Sequence, residues 1–410
     1  MRDELTVRLD DAVLGAALVG TVRHDSSRPP GIVSFAFAPD WIDSPAIPVL
    51  DPSLPYFEGE QYLDGLPRIL DDTAPDRWGQ KLLERREATL ARQQERRPRR
   101  LQPWDYLVAV SDLLRMGALR LFSEESASYV GSDDRPVPPV ARLRTLQYYA
   151  ERAERGERLS AKEEEEEMAL LIAPGSSLGG ARPKANFVDG HGLWIAKFPS
   201  HNDRRDMGAW ELVLNRLAGT AGIEVPESKL YRLGDTFHTF AARRFDRVEG
   251  GRRLFASAMT LLGTQDHADA SYLEIAQAIT DYGSRARQEM EQDLEQLFRR
   301  VVFNVMTAHR DDHLRNHGFL ATANGWRLSP AYDLNPQPDM PEHVLAIDES
   351  GHEPILDLVH GSAEYYRVKP REGDAIIAEV SRVIADWRSV AQEVGIDRDE
   401  IETMADAFAP

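Results

Sequence analysis

Apolar and polar residues alternate along the first forty positions of the chain. Leu5, Val7 and Leu9 are separated by single polar residues, and an apolar run extends from Ile32 to Ala38. A period of two is typical of a strand with one buried face. We therefore predict a β-meander here. Residues 40–65 are rich in Pro, Asp and Gly and predict a long connection with little regular structure.

Helical spacing replaces this alternation farther along the chain. A helix is predicted over residues 75–94, because capping residues precede a proline that suits a first helical turn. A second helix is predicted over residues 104–114. Residues 207–218 and 285–308 carry apolar residues three and four positions apart and predict two further helices. Residues 125–138 are rich in Ser, Gly, Asp and Pro and are interpreted as a linker.

Composition places the chain among ordinary folded proteins. Its 410 residues are 42% hydrophobic and 29% charged, which suits two or three packed subdomains and excludes collagen-like and wholly disordered chains. The absence of cysteine excludes disulfides, thiolate metal sites and a cysteine nucleophile. The apolar run Ala12–Gly20 is too short to span a bilayer, and the acidic first residues do not resemble a signal peptide. We therefore expect a cytoplasmic protein that does not engage a membrane.

The charge of the chain bears on nucleic-acid binding. A formal net charge of −19 argues against a protein that holds nucleic acid over its whole surface. One local exception is an arginine cluster, defined as Arg96, Arg97, Arg99 and Arg100. Two interpretations of this cluster stay open, a solvated helix end and a docking patch for a partner or DNA.

The strongest chemical signal is the segment His309–Asn316, which fits the protein-kinase catalytic loop H-R-D-x-x-x-x-N. In that loop the aspartate, here Asp311, accepts or orients the proton of the attacking hydroxyl. The asparagine five residues later, Asn316, reaches a magnesium ion on the phosphates. A predicted hairpin follows, with a turn that contains Asn324-Gly325. It ends near Asp333, where kinases hold a metal-binding aspartate.

The phosphate end of a kinase site is expected upstream of this loop. Residues 175–184 form a loop of small residues ending in basic ones, and backbone N–H groups of such loops can face phosphate oxygens. The next predicted strand ends at Lys197, where kinases hold their phosphate-binding lysine. Glu211 on the following helix suits either a pair with Lys197 or a helix-dipole partner. Residues 240–247 then pass from an apolar strand to a charged segment and suit an adenine-binding hinge.

These residues resemble the HipA family, the serine/threonine kinase toxins of bacterial toxin–antitoxin systems. The matching segments are Asp72–Gly79, Ser177–Lys184, Ile195–Pro199, Arg244–Arg247, Asp311–Phe319 and Tyr332–Asp333. The resemblance implies an α+β, bilobed protein-kinase-like fold with an N-terminal β-rich subdomain and a mostly helical C-terminal lobe. It places the β-rich subdomain at residues 1–130, the small kinase lobe at 131–246 and the helical lobe at 247–410.

The resemblance also implies roles for single residues. Asp311 would be the catalytic base, Asn316 and Asp333 would hold Mg²⁺, and Lys197 would bind the phosphates of ATP. Ser177 matches the family's autophosphorylated serine, although the adjacent Ser176 leaves the position ambiguous. Further ATP-binding residues implied are Gly179, Gly180, Ala181, Arg182 and Lys184 at the phosphates, Arg243, Arg244 and Phe245 at adenine, and Asp246 and His313 near the ribose.

The function expected from this resemblance is an ATP- and Mg²⁺-dependent protein serine/threonine kinase toxin. Its expected substrate is a translation protein such as an aminoacyl-tRNA synthetase. Its expected partner is a HipB-like DNA-binding antitoxin, and DNA is expected to be reached only through that partner. Two alternatives stay open: a small-molecule kinase on the same scaffold, and a catalytically silent partner of a DNA-binding antitoxin.

Overall fold

The structure is a computed structural model that describes residues 2–27, 31–132, 136–172, 180–249, 251–264, 270–349 and 351–408. The chain divides into two compact units. Unit 1 comprises Met1–His201 and Arg244–Ala256, and unit 2 comprises Asn202–Arg243 and Ser257–Pro410. The division into three domains at residues 130 and 246 stays a prediction.

The strands are numbered in chain order. They are β1 (Arg2–Asp11), β2 (Gly15–Asp25), β3 (Ile32–Phe37), β4 (Gln61–Leu63), β5 (Leu119–Ser123), β6 (Ser128–Tyr129), β7 (Lys184–Asp189), β8 (Gly192–Lys197), β9 (Ser228–Tyr231), β10 (Thr239–Arg243), β11 (Arg247–Val248), β12 (Gly251–Arg252), β13 (Phe255–Ser257), β14 (Gly318–Thr322) and β15 (Gly325–Leu328).

The α-helices are numbered in the same way. They are α1 (Pro39–Asp43), α2 (Arg68–Asp71), α3 (Arg77–Gln93), α4 (Pro103–Ala109), α5 (Leu143–Arg155), α6 (Ala161–Glu167), α7 (Met207–Thr220), α8 (Ala258–Leu261), α9 (Tyr272–Tyr282), α10 (Arg287–Met306), α11 (Leu356–Gly361), α12 (Pro370–Ile384), α13 (Trp387–Val394) and α14 (Arg398–Thr403). Short 3₁₀ turns include Asp112–Leu114 and Leu314–Asn316.

Unit 1 is built on a mixed sheet with the strand order β11-β12-β1-β2-β3-β4, in which β5 also pairs with β1. The alternating residues Leu5, Val7 and Leu9 are buried on one face of β1, as the period of two predicts. The β-meander predicted from the sequence is therefore confirmed. The connection predicted over residues 40–65 is confirmed in outline, although it contains the end of α1 and the short strand β4.

A buried arginine ends the second predicted helix early. The helix predicted over residues 104–114 was wrong in its extent, because α4 stops at Ala109 and the chain becomes extended before the turn Asp112–Leu114. Arg115 is fully buried, and its Nη2 donates to the carbonyl oxygens of Leu107 at 3.0 Å and Val110 at 3.2 Å. The guanidinium thus satisfies carbonyls that a continuing helix would have bonded.

Unit 2 is mainly helical, and α10 forms its centre. Leu294, Leu297, Phe298, Val301 and Val302 lie along this helix at helical spacing and are all fully buried. The helix predicted over residues 285–308 is confirmed as α10. The preceding helix α9 begins with a capping box in which the side chains of Ser271 and Glu274 each accept from the other's backbone N–H.

The hairpin β14–β15 follows the catalytic loop, as predicted, and Asn324 lies in its turn, but Gly325 already belongs to β15. Thr322 pairs with Gly325, so Ala323 and Asn324 form the turn and Gly325 opens β15. Gly325 has a φ of +133°, and a Cβ there would lie 2.3 Å from the carbonyl oxygen of Gly283. Close packing of two backbones therefore explains this glycine.

Among the residues that the structure describes, no helix is long and apolar enough to cross a lipid bilayer.

Candidate active site

The predicted catalytic loop leaves the end of α10 through a sharp reversal of the chain. Ala308 has a φ of +45°, and the backbone N–H of His309 donates back to the carbonyl of Asn304 at 3.0 Å. The turn Leu314–Asn316 then folds the loop onto itself, so that Nδ2 of Asn316 donates to the backbone oxygen of Asp311 at 3.3 Å. Two residues that the sequence motif places five apart are thereby brought together.

Asp311 is exposed at the surface of this loop, which leaves its carboxylate accessible to a substrate. Partial burial raises the pKa of Asp311, and the neighbouring Asp333 carboxylate raises it further, although His313 opposes the rise. A carboxylate with a raised pKa accepts a proton more readily than an ordinary one. The geometry and the electrostatics thus suit a proton acceptor.

Asp333 occupies a strained backbone position beside the loop. Its φ of +61° lies in the left-handed region, where non-glycine residues are uncommon and where asparagine and aspartate are best tolerated. Nδ2 of Asn335 donates to Oδ1 of Asp333 at 3.1 Å, which orients the carboxylate. The hydroxyl of Tyr332 donates to the carbonyl of Arg315 at 2.6 Å and fastens this segment to the catalytic loop.

The donors in this part of unit 2 are hard oxygen atoms. Asp311 and Asp333 supply carboxylates and Asn316 supplies an amide, and these are the ligands that Mg²⁺ prefers. The described residues contain no cluster of three or more His, Cys, Asp or Glu side chains able to hold a metal ion by themselves. Mg²⁺ commonly takes one or two carboxylates and completes its shell with water and substrate phosphates, so this donor set fits the ion.

Sequence reasoning missed Asp312, the residue next to Asp311. Asp312 is 2% exposed. Burial alone would raise its pKa, but the ion pair with His317 and a second histidine, His309, hold it well below the usual range. The Asp-Asp doublet at positions 311 and 312 was the available signal.

Two lysines lie side by side in unit 1. Lys184 and Lys197 are directly opposite each other in the antiparallel hairpin β7–β8, and paired residues project from the same face. Lys184 is only 3% exposed, and its Nζ lies 3.9 Å from Oδ2 of Asp76. Two like charges opposite each other destabilise a hairpin unless anions offset them. The carboxylate of Asp76 is one such anion, and the phosphate contact expected of Lys197 stays a prediction.

The hinge residues divide between interior and surface. Arg244 and Asp246 are buried, and they form an ion pair at 2.7 Å within unit 1. Arg244 also donates to the carbonyl of Leu114 at 2.8 Å, while Asp246 accepts from the backbone N–H of Gly117 at 2.8 Å. Both side chains are engaged in these contacts, and the adenine role predicted for Arg244 and the ribose role predicted for Asp246 stay predictions. Arg243 is exposed, and its contact with adenine stays a prediction.

The predicted phosphate loop lies partly outside the described residues, which do not include Ser176, Ser177 or Gly179. Gly180 is described, and its φ of +101° needs a glycine. The ATP contacts expected of four further residues also stay predictions. Ala181 is exposed, whereas Arg182, Phe245 and His313 are half-buried. Nε of Arg182 donates to the carbonyl of Phe198 at 3.0 Å. Glu211 is buried within α7, and its pairing with Lys197 also stays a prediction.

A buried histidine beside the loop predicts a pH-dependent stability. His343 is 3% exposed, and neither of its ring nitrogens has a hydrogen-bond partner among the described residues. Burial lowers the pKa of His343 to about 4, and the nearby His309 adds to the effect. Below about pH 6.5 His343 is protonated in the unfolded chain but stays neutral in the native protein. The free energy of unfolding therefore decreases as the pH falls toward 4.

We expect this residue to remove about 3 kcal/mol from the free energy of unfolding between pH 7 and pH 4. His343→Phe retains a ring of similar size and cannot titrate. Urea unfolding of both proteins across this pH range should therefore show the difference between them growing in favour of the variant in acid. A difference that does not change with pH would contradict the buried neutral state of His343.

Comparison with known proteins matches this chain to two family models. The model of the HipA-like C-terminal domain matches residues 176–409, and that of the HipA N-terminal domain matches residues 11–122. The first of these alone spans more than half of the chain. The predicted catalytic loop, the lysine hairpin and Asp333 all lie within it.

A solved structure from Shewanella oneidensis MR-1, described as a toxin–antitoxin system of HipA, HipB and operator DNA, has a TM-score of 0.67 to this chain. It is 17% identical and covers 98% of this chain and 95% of its own. The predicted α+β, kinase-like fold is confirmed.

Two further matches cover a smaller share of this chain. A proinflammatory kinase, CtkA of Helicobacter pylori, has a TM-score of 0.44 and 15% identity, covering 56% of this chain and 88% of its own. A curated "Putative kinase" of Haemophilus influenzae is 27% identical over 193 residues, 40% of this chain. The chain spans only about 55% of the length of that curated relative.

Proposed function

The chain belongs to the HipA family, and on that premise we propose that it is a protein kinase that transfers the γ-phosphate of ATP to a serine or threonine hydroxyl. The observation that carries this proposal is the catalytic loop. Its exposed Asp311 has a raised pKa, and Asn316 folds back onto it. A protein that only bound an antitoxin and catalysed nothing would have no physical need for such a catalytic loop beside a strained Asp333.

The proposed reaction is an in-line displacement at the γ-phosphorus. The oxygen of the acceptor hydroxyl forms a bond to the γ-phosphorus while the bond to the β,γ-bridging oxygen breaks, and ADP leaves. The carboxylate of Asp311 orients the hydroxyl and accepts its proton. The hydrogen bond from Asn316 to the backbone of Asp311 restricts the loop, so the carboxylate is held in place before the acceptor arrives.

Asn316 and Asp333 are the residues that would hold Mg²⁺. When bound, this ion neutralises negative charge on the phosphate oxygens of ATP. The contribution of the chain is to orient the two donors. Asn335 holds the carboxylate of Asp333, and Tyr332 ties that segment to the carbonyl of Arg315 in the loop.

We assign the phosphate-binding role to the lysine pair of β7–β8. Lys197 would bind phosphate oxygens directly, since it is the less buried of the two. Lys184 lies opposite it and is held near Asp76, so it would contribute positive charge from a fixed position. Two cations on one strand face suit a polyanion such as a triphosphate better than a singly charged ligand.

The experiment that tests this function uses ATP labelled at either the γ- or the α-phosphate, with Mg²⁺ and a bacterial lysate. Label that enters protein from γ-labelled ATP alone supports phosphoryl transfer. Label that enters protein from α-labelled ATP would contradict it, because that pattern requires nucleotidyl transfer. Label that enters only small molecules would favour the small-molecule kinase instead.

The acceptor on the chain itself is proposed to be Ser177. A phosphate there adds about −1.5 to −2 charge at pH 7, which would repel ATP and compete for the same N–H donors. Peptide mass spectrometry after incubation with MgATP is expected to find the phosphate on Ser177, and ATP affinity is expected to fall in that fraction. Ser177→Ala should remove the modification, whereas Ser176→Ala should not. Modification of other substrates while Ser177 stays unmodified would contradict this assignment.

A HipB-like DNA-binding antitoxin is the proposed partner, and a translation protein such as an aminoacyl-tRNA synthetase is the proposed substrate.

Direct DNA binding by the arginine cluster is not favoured. Arg96 pairs with Glu87 at 2.5 Å and Arg99 pairs with Asp105 at 2.9 Å, so half of the cluster is already neutralised. Gel-shift titration should show DNA retention only with the antitoxin present. Tight, salt-dependent binding by the chain alone would contradict this.

A further inference from the structure

Asp312 lies at the centre of a buried hydrogen-bond network in unit 2. Its Oδ2 accepts from the hydroxyl of Tyr272, from Nδ2 of Asn304 and from Nε2 of His317, each at 2.8 Å. Its Oδ1 lies 3.7 Å from Nε2 of His309. One carboxylate therefore contacts α9, α10 and the residues at both ends of the catalytic loop.

The same network extends to the segment of Asp333. Nδ1 of His309 is 2.9 Å from the carbonyl oxygen of Asn335, two residues beyond Asp333. The side chain of Asn335 in turn donates to Oδ1 of Asp333 at 3.1 Å. A continuous chain of contacts thus runs from Asp312 through His309 and Asn335 to the carboxylate that is proposed to bind Mg²⁺.

We propose that Asp312 is a positioning residue for phosphate transfer: it holds the catalytic loop against α9 and α10 and, through His309, fixes the orientation of Asp333. The inference rests on the proposed kinase function. Asp312 does not itself face the substrate, because it is buried while the adjacent Asp311 is exposed.

The burial of this network explains why a single carboxylate can control the loop. Hydrogen bonds to an ionised group are stronger than neutral ones, and they strengthen further where water is excluded. Asn304 binds the loop twice, since its side chain donates to Asp312 and its carbonyl accepts from the N–H of His309. Without the charge on Asp312, these donors would share a weaker, neutral acceptor, and the loop would be held less firmly at both of its ends.

The test compares Asp312→Asn with a matched variant, Asp293→Asn. Asp293 is also a buried aspartate of unit 2, lies on α10, and pairs with Arg327 at 2.8 Å. Both variants remove one buried negative charge with little change in volume. The rate of ADP formation is measured against ATP and against Mg²⁺ concentration, with the folded fraction determined by urea unfolding.

We expect Asp312→Asn to lower kcat by about 10–100-fold and to raise the Mg²⁺ concentration that gives half of the maximal rate. Asp293→Asn should lower stability while leaving both quantities unchanged. Equal behaviour of the two variants, with unchanged kcat and Mg²⁺ dependence per folded molecule, would overturn the positioning role.

Tyr272→Phe provides a second variant that keeps the charge and removes only one hydrogen bond to Asp312. It should lower kcat less than Asp312→Asn does and shift the Mg²⁺ dependence in the same direction. Wild-type kcat and Mg²⁺ dependence in this variant would count against the network even if Asp312→Asn did not fold. A wild-type chain that forms no ADP would instead contradict the proposed function on which the inference rests.

Discussion

Replacing Asp311 with asparagine is expected to lower the rate of ADP formation by about 10²–10⁴-fold and to leave the affinity for MgATP close to that of the wild type. The amide cannot accept the proton of the acceptor hydroxyl. The side chain is exposed, so the change should not disturb the core of unit 2. A coupled assay for ADP measures the rate, and calorimetric titration measures the affinity.

Asp281→Asn provides the control for this change. Asp281 is an exposed aspartate of α9 in the same unit, and its carboxylate accepts from Gln277 one helical turn away. We expect this variant to keep the wild-type rate. If Asp311→Asn instead lost MgATP binding in proportion to its rate, Asp311 would have to be assigned to nucleotide binding and not to proton transfer.

Replacing Asp333 with asparagine is expected to have the second large effect, a loss of about 10–100-fold or more in Mg²⁺-dependent ATP affinity, together with loss of phosphate transfer. Asparagine tolerates the left-handed backbone conformation that Asp333 adopts, so the variant removes the charge without adding strain. Alanine would confound the two effects.

Calorimetric titration with ATP in the presence and absence of Mg²⁺ separates the metal effect from other contacts. The affinity of Asp333→Asn for ATP without Mg²⁺ should equal or exceed that of the wild type, because a negative charge near the phosphates has been removed. An equal loss of affinity with and without the ion would show that Asp333 does not act through Mg²⁺.

Local patterns in the sequence were sufficient to predict the helices and strands around the site. The apolar spacing of α10 and the alternation in β1 each reflect burial of one face, which a single segment encodes by itself. The spacing between Asp311 and Asn316 was likewise sufficient to predict the catalytic loop, because the turn that brings the two residues together needs only five residues.

Features that depend on distant residues could not be predicted in this way. The end of α4 depends on a buried guanidinium, Arg115, and the turn of β14–β15 depends on the approach of Gly283 to Gly325. The same limit applies to Arg244 and Asp246, whose motif matched a hinge although their side chains pair with each other in the interior. Charged residues in a motif look alike whether they face a ligand or one another.

Asp312 illustrates this limit within the site itself. Its neighbour in the doublet, Asp311, fitted a known motif position and received a role, whereas Asp312 occupied a position that the motif leaves undefined. Its partners Tyr272 and Asn304 come from two different helices, and only the tertiary structure brings them to one carboxylate.

The most direct test of Asp311 as the base of phosphate transfer is the intact mass of the purified chain after incubation with MgATP, measured side by side for the wild type and Asp311→Asn. We expect the wild type to gain the mass of a phosphoryl group and Asp311→Asn, although it binds MgATP, to gain none. Phosphoryl gain in both proteins would contradict the assignment of Asp311 as the base of a phosphate-transfer site, and gain in neither while both bind MgATP would contradict autophosphorylation.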